Sequence, residues 1–299
     1  MGKLLQSQLT NTDRIKQVLA QINASFELSD GTPVEVLLVY LPCKDGECDL
    51  SALYEVIKDC IITDFALSYS EIQKKLKRKP INAPQRLLDK AIERLSQHTA
   101  QGELGELMLF TLLDVYFNAP KIVSKISQKQ ARRMPAFGAD AIHAQYKDDQ
   151  LVLYLGESKL HKDYASARID AIDSISQSLN TYNEQFSYIE SNMNFPQIDD
   201  DVEQELLDLL DPFENTSNEL KERLHTPCFI GFESPDVFDD DLEKYKSRYI
   251  KLACKHIGMF YQRLALKELE HSRTALLLLP VSSIDQLVQG FIDYLEIEE

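Results

Sequence analysis

Phe137-Gly138-Ala139-Asp140-Ala141-Ile142-His143, followed by Lys147-Asp148-Asp149-Gln150 and Leu153-Tyr154-Leu155-Gly156-Glu157-Ser158-Lys159, decides the reading of this chain. The two outer runs read as strands, 137–146 and 151–159, and Asp148-Asp149 as the two-residue loop of an antiparallel hairpin. That loop sets Lys147 opposite Gln150 and, further along the ladder, Asp140 opposite Glu157. Directly paired residues share a face of the sheet, and the strand period of two adds Lys159 to that face. Two carboxylates and an ammonium are thus expected to converge. Close carboxylates raise each other's pKa unless a divalent cation lies between them, and oxygen ligands alone select a hard ion, Mg²⁺ or Mn²⁺. Glu157-Ser158-Lys159 in isolation is equally an ion pair at a sheet end. Its setting, after a run at 151–155 that is apolar on both faces, is that of a central strand, where charges need partners.

Upstream, Gly102-Glu103-Leu104-Gly105-Glu106-Leu107 opens an otherwise apolar helix over 102–117. Glu103 and Glu106 occupy neighbouring positions on it, and the glycines permit close approach to a sheet. Acids also favour the positive end of a helix dipole, which is a sufficient reason for either one to be there. Between this helix and the hairpin lies a third expected strand, 121–126. Lys121, Lys125, Lys129, Arg132 and Arg133 follow one another with no intervening acid, as a candidate nucleic-acid-binding patch. A long amphipathic helix is expected over 165–188. His161 shares the strand parity of Lys159, and His143 is expected to face away from Asp140.

Taken in order, a helix with Glu, a strand, a strand with Asp, a strand with Glu-x-Lys and a further helix resembles the PD-(D/E)xK nuclease superfamily across about 102–188. More narrowly, Gly-Glu-Leu-Gly-Glu, Gly-Ala-Asp-Ala-Ile-His and Gly-Glu-Ser-Lys resemble the HamA family, nuclease-like subunits of Hachiman antiphage defence systems. The resemblance implies a restriction-endonuclease-like mixed α/β sheet flanked by helices, a helicase partner (HamB) and degradation of DNA. It implies a site of Asp140, Glu157 and Lys159 completed by Glu106 or Glu103, with Asp140, Glu157 and Glu106 holding Mg²⁺ or Mn²⁺. The rival expectation is an inactive nuclease-fold subunit that binds DNA ends or clamps the helicase.

The rest of the chain bounds these expectations. The 299 residues, 44% hydrophobic and 27% charged, suffice for a large core and exclude disordered and fibrous classes. Residues 1–98 read as an N-terminal α+β extension, with a helix at 11–22, a strand at 34–41 and a helix at 50–61, and Pro80 and Pro84 mark a joint before a helix at 85–98. Residues 99–299 read as the nuclease-like core, with an acidic, solvated, partly helical insertion near 196–216 and then a strand at 228–232, a helix at 242–266, a strand at 275–279 and a helix at 284–294. A net charge of −16 opposes binding of polyanions except at local basic patches, of which Lys74, Lys75, Lys77, Arg78 and Lys79 form a second. Weak DNA binding by the isolated chain, and dependence on a carrier, follow. No apolar run approaches the roughly 18 residues of a membrane span. Five scattered cysteines and the lack of an apolar signal core lead to the expectation of a reducing cytoplasm.

Overall fold

A computed structural model describes residues 5–44, 47–78, 80–124, 126, 141–180, 200–210 and 217–298. The strands are β1 (Ala20–Ile22), β2 (Phe26–Glu27), β3 (Pro33–Val34), β4 (Val36–Tyr40), β5 (Cys43–Lys44), β6 (Glu47–Cys48), β7 (Lys121–Ser124), β8 (Ala141–Lys147), β9 (Gln150–His161), β10 (Leu224–His225), β11 (Cys228–Glu233) and β12 (Leu276–Val281). The helices are α1 (Thr12–Val18), α2 (Leu50–Val56), α3 (Ile62–Ala66), α4 (Tyr69–Arg78), α5 (Ala83–Ile92), α6 (Ala100–Phe117), α7 (Tyr164–Asn180), α8 (Asp200–Leu210), α9 (Ser217–Arg223), α10 (Leu242–Leu266) and α11 (Ile284–Leu295).

Eight strands form one mixed sheet in the order β1-β4-β12-β11-β9-β8-β7, with β10 beside β9. The ladders β4–β12, β12–β11 and β11–β9 are parallel, and β1, β8 and β7 run antiparallel to their neighbours. The apolar runs of β11 and β12 are covered on both faces, the condition of central parallel strands. On one face Phe229, Leu277 and Leu279 pack with α6 and with α2, α5 and α11. On the other, Ile230, Phe232, Leu276 and Leu278 pack beneath α7 and α10. The segment 1–98 contributes β1 and β4 to this sheet, and α2, α3 and α5 to the core on the α6 face.

Several elements differ from the sequence expectations. The 11–22 stretch is split: α1 ends at Val18, and Ala20–Ile22 pairs with β4 as an edge strand that adopts no helical turn. The helix at 50–61 extends to Ala66 through a π turn at Ile57–Ile61. The helix expected at 85–98 runs from Ala83 to Ile92, with Pro84 in its first turn, where the missing N–H has no intrahelical partner to lose. β12 runs through Pro280. Leu276 N–H points at Glu35 on the β4 side, so the same-parity Pro280 lies beyond the β4 ladder, which covers Leu276–Leu278, and costs it no bond. Within the acidic insertion, α8 buries Val202, Leu206 and Leu209 against Leu151, Leu153 and Leu155, so its described part is amphipathic and not wholly solvated.

Candidate active site

The hairpin has the expected register, from Lys147↔Gln150 to Ala141↔Gly156. Asp148 (φ 51°) and Asp149 (φ 59°) both take the left-handed conformation that a type I′ turn demands, which aspartate tolerates better than most side chains. Asp140 lies outside the described residues, as do Lys125, Lys129, Arg132 and Arg133.

Gly156 is the last residue of β9 with a described β8 partner, and on its other edge β9 pairs with β11, where Glu157 is opposite Cys228, Lys159 opposite Ile230 and His161 opposite Phe232. The Glu157 N–H donates to the Pro227 carbonyl (3.0 Å). Parallel partners share a face, so Glu157, Lys159 and His161 lie on the α7 side, where Ile230 and Phe232 are buried. On that face Glu157 falls between two apolar clusters, Leu151, Leu153 and Leu155 to one side and Ile230 and Phe232 to the other. It is 8% exposed, and an isolated carboxylate there would be costly. The half-buried Lys159 ammonium donates to its Oε1. His161 Nδ1 accepts the Asp163 N–H (3.1 Å), which puts the neutral ring's proton on Nε2.

The other face of β9 meets α6. A Cβ on Gly105 would stand 3.2 Å from Ser158 Oγ, so glycine there permits the approach. Gln101 Nε2 donates to the Leu160 carbonyl (2.6 Å), tying the start of α6 to β9 in the stretch that follows the β8 ladder. Gln101 and Ser158 were not singled out by sequence pattern; the Gln101–Gly105 spacing of one helical turn is the signal that links them.

Glu103 is buried and accepts from Ser96 N (3.1 Å) and Thr99 Oγ1 (2.6 Å), which fixes the turn entering α6. Glu106, one position beyond Gly105, is half-buried. Both glutamates come from the helix on the opposite face of β9 from Glu157. Among the described residues, no group of three or more His, Cys, Asp or Glu side chains is arranged to hold a metal ion.

One expectation is corrected outright. Lys121 is not part of a phosphate-facing patch: it is 5% exposed, and its ammonium donates to the carbonyls of Asp64, Phe65 (2.8 Å) and Leu67 (3.2 Å) while lying over the Phe110 ring. Burial pushes its pKa down to about 8, against the opposing charge of Asp64. His143 is on the α6 side, buried, with Nδ1 against the Ala119 carbonyl (2.6 Å).

A model of the HamA family matches residues 16–295, nearly the whole chain. The chain belongs to the HamA family. Membership connects it to Hachiman defence, and the Gly-Glu-Leu-Gly-Glu and Gly-Glu-Ser-Lys motifs of this HamA-family chain fall on the two elements that meet at Gly105 and Ser158. No curated protein matches it significantly. Among the described residues of this HamA-family protein, no helix is long and apolar enough to cross a membrane.

Proposed function

We propose that this chain is a metal-dependent DNA nuclease of the PD-(D/E)xK type, the effector of a Hachiman complex in which a helicase partner holds and regulates it in the cytoplasm. The observation that carries the reading is the placement of Glu157 and Lys159 side by side on one face of β9, immediately past the last described pair of the β8 ladder. Continued by one residue, that register sets Asp140 opposite Glu157. Two carboxylates and a lysine in this relation suit a hard divalent cation, Mg²⁺ or Mn²⁺, held by Asp140 and Glu157, with Glu106 as a third carboxylate that reaches the ion from the α6 side around the end of the β8–β9 ladder. The ion would lower the pKa of a bound water and neutralise charge on the phosphate. Lys159 orients the nucleophile and stabilises the developing negative charge. Glu103, engaged at the start of α6, positions that helix.

The Lys159–Glu157 contact also favours a second reading, since an ion pair that satisfies a buried carboxylate is sufficient for an inactive subunit that binds DNA ends or clamps the helicase. The net charge of −16 supports a carrier for the DNA contact in either case. The test is incubation of linear and circular DNA, single- and double-stranded, with the chain alone and with its co-purified partner, in Mg²⁺, in Mn²⁺ and in EDTA. Cleavage that needs the metal and is abolished in Glu157→Gln supports the nuclease. Intact DNA under every condition, with retained binding to ends or to the helicase, supports the inactive subunit.

A further inference from the structure

Helix α4 differs chemically from the rest of this acidic protein. It carries Lys74, Lys75, Lys77 and Arg78 within its last five residues, and none of its residues is buried. Its one acid, Glu71, is turned toward α5, where it takes Lys90 (2.6 Å) and Arg94 (2.7 Å). Many cations elsewhere meet acids, as Arg14 does Glu55 and Asp59, Lys147 Glu35, Lys162 Asp285, and Arg263 and Lys267 Asp173, and those among the described residues that do not, such as Lys16 and Arg86, are not gathered four in five residues. Among the described residues, none of the four α4 cations forms an ion pair.

Lys74 with Lys77 and Arg78, and Lys75 with Arg78, are neighbours on the helix surface, so the charges make a row about 6 Å long at 1.5 Å per residue. Such a row suits a ligand whose own charges repeat. Leu76, at the margin of exposure, and Ile81, 93% exposed, are the exposed large apolar residues described in 69–82, too few for the apolar patch that anchors a protein partner. α4 also begins two residues after Leu67, whose carbonyl receives Lys121 at the start of β7, and β7 leads in sequence into Lys125, Lys129, Arg132 and Arg133.

We propose that α4 binds the phosphate backbone of nucleic acid, at a place separate from Glu157 and Lys159. The contact is electrostatic and independent of base sequence, and it supplies local attraction on a chain whose overall charge repels the same ligand. It requires no cleavage by the chain. The experiment measures anisotropy of a labelled DNA duplex with the full-length protein in EDTA, across a salt series, so the result does not depend on the nuclease reading. Lys74→Gln/Lys75→Gln/Lys77→Gln/Arg78→Gln is compared with Lys16→Gln/Lys221→Gln/Lys251→Gln/Lys255→Gln, which removes equal charge elsewhere. The expected result is a loss of at least about tenfold in affinity at low salt and a salt slope shallower by about 3 to 4 in the α4 variant only. Equal losses in both variants, an unchanged α4 variant, or no binding by wild type at low salt would overturn the proposal. So would stronger competition by polyglutamate than by unlabelled DNA, which would identify an acidic protein surface as the ligand.

Discussion

Ala141 on β8 is paired with Gly156 on β9, one residue before Glu157 in its strand and one after Asp140 in sequence. A hairpin ladder continued by one step would bring the Asp140 carboxylate to the face where Lys159 donates to Glu157. Asp140→Asn and Glu157→Gln are each expected to abolish Mn²⁺ binding measured by calorimetry, and to reduce DNA cleavage by about a hundredfold or more. Lys159→Met should reduce cleavage similarly while retaining Mn²⁺. Wild-type Mn²⁺ affinity in Asp140→Asn would remove the shared-ion arrangement.

The two α6 glutamates should separate by assay. Glu103 accepts from Ser96 N and Thr99 Oγ1 in a buried turn, so Glu103→Gln is expected to lose about 1–3 kcal/mol in urea unfolding. Glu106 is half-buried beside the Gly105–Ser158 contact. Glu106→Gln is expected to unfold within about 0.5 kcal/mol of wild type while metal-dependent cleavage falls. A stable, fully active Glu106→Gln would leave the metal with two carboxylates from this chain.

The hairpin register was legible because alternating apolar residues and a two-residue loop fix it together; one slipped residue would turn Leu151, Leu153 and Leu155 away from α8. The central strands and α10 were legible from runs of uniform period. Less so was β1: Ile15, Leu19 and Ile22 fit a helical spacing, and only the exposed edge of β4 makes the last of these a strand residue. Lys121 was misread for a related reason. Its charge and its basic neighbours look like a surface patch, whereas the carbonyls that claim it belong to the end of α3, more than fifty positions earlier, and no local pattern announces them.

That network makes Lys121 a structural residue. Removing the ammonium leaves carbonyls at the end of α3 facing an apolar replacement, and leaving a buried acceptor unsatisfied typically costs about 1–3 kcal/mol. Lys121→Met is therefore expected to lose several degrees of thermal stability while its DNA salt dependence stays that of wild type, the reverse of the α4 variant. Unchanged stability with weakened DNA binding would return Lys121 to the nucleic-acid interface.

His143 gives the fold a specific acid sensitivity. Burial, only partly offset by the Ala119 carbonyl, holds its pKa down at about 3, against an ordinary value of 6.5. Between those values the unfolded chain carries a proton that the folded chain refuses. The stability contributed by neutral His143 is thus complete above pH 6.5 and is lost as pH falls toward 3, by up to about 5 kcal/mol. Asp64 works in the opposite sense: burial raises its pKa to about 6, so its protonation in the folded state offsets part of the loss between pH 6 and 3.8. A comparison with His143→Leu cancels Asp64, which is common to both proteins. The stability advantage of wild type over His143→Leu, from urea unfolding at half-unit steps, is expected to shrink steadily from pH 7 to pH 4. An advantage constant across that range would mean that His143 takes up its proton without unfolding, and that its surroundings of Phe110 and Ala119 accommodate an imidazolium.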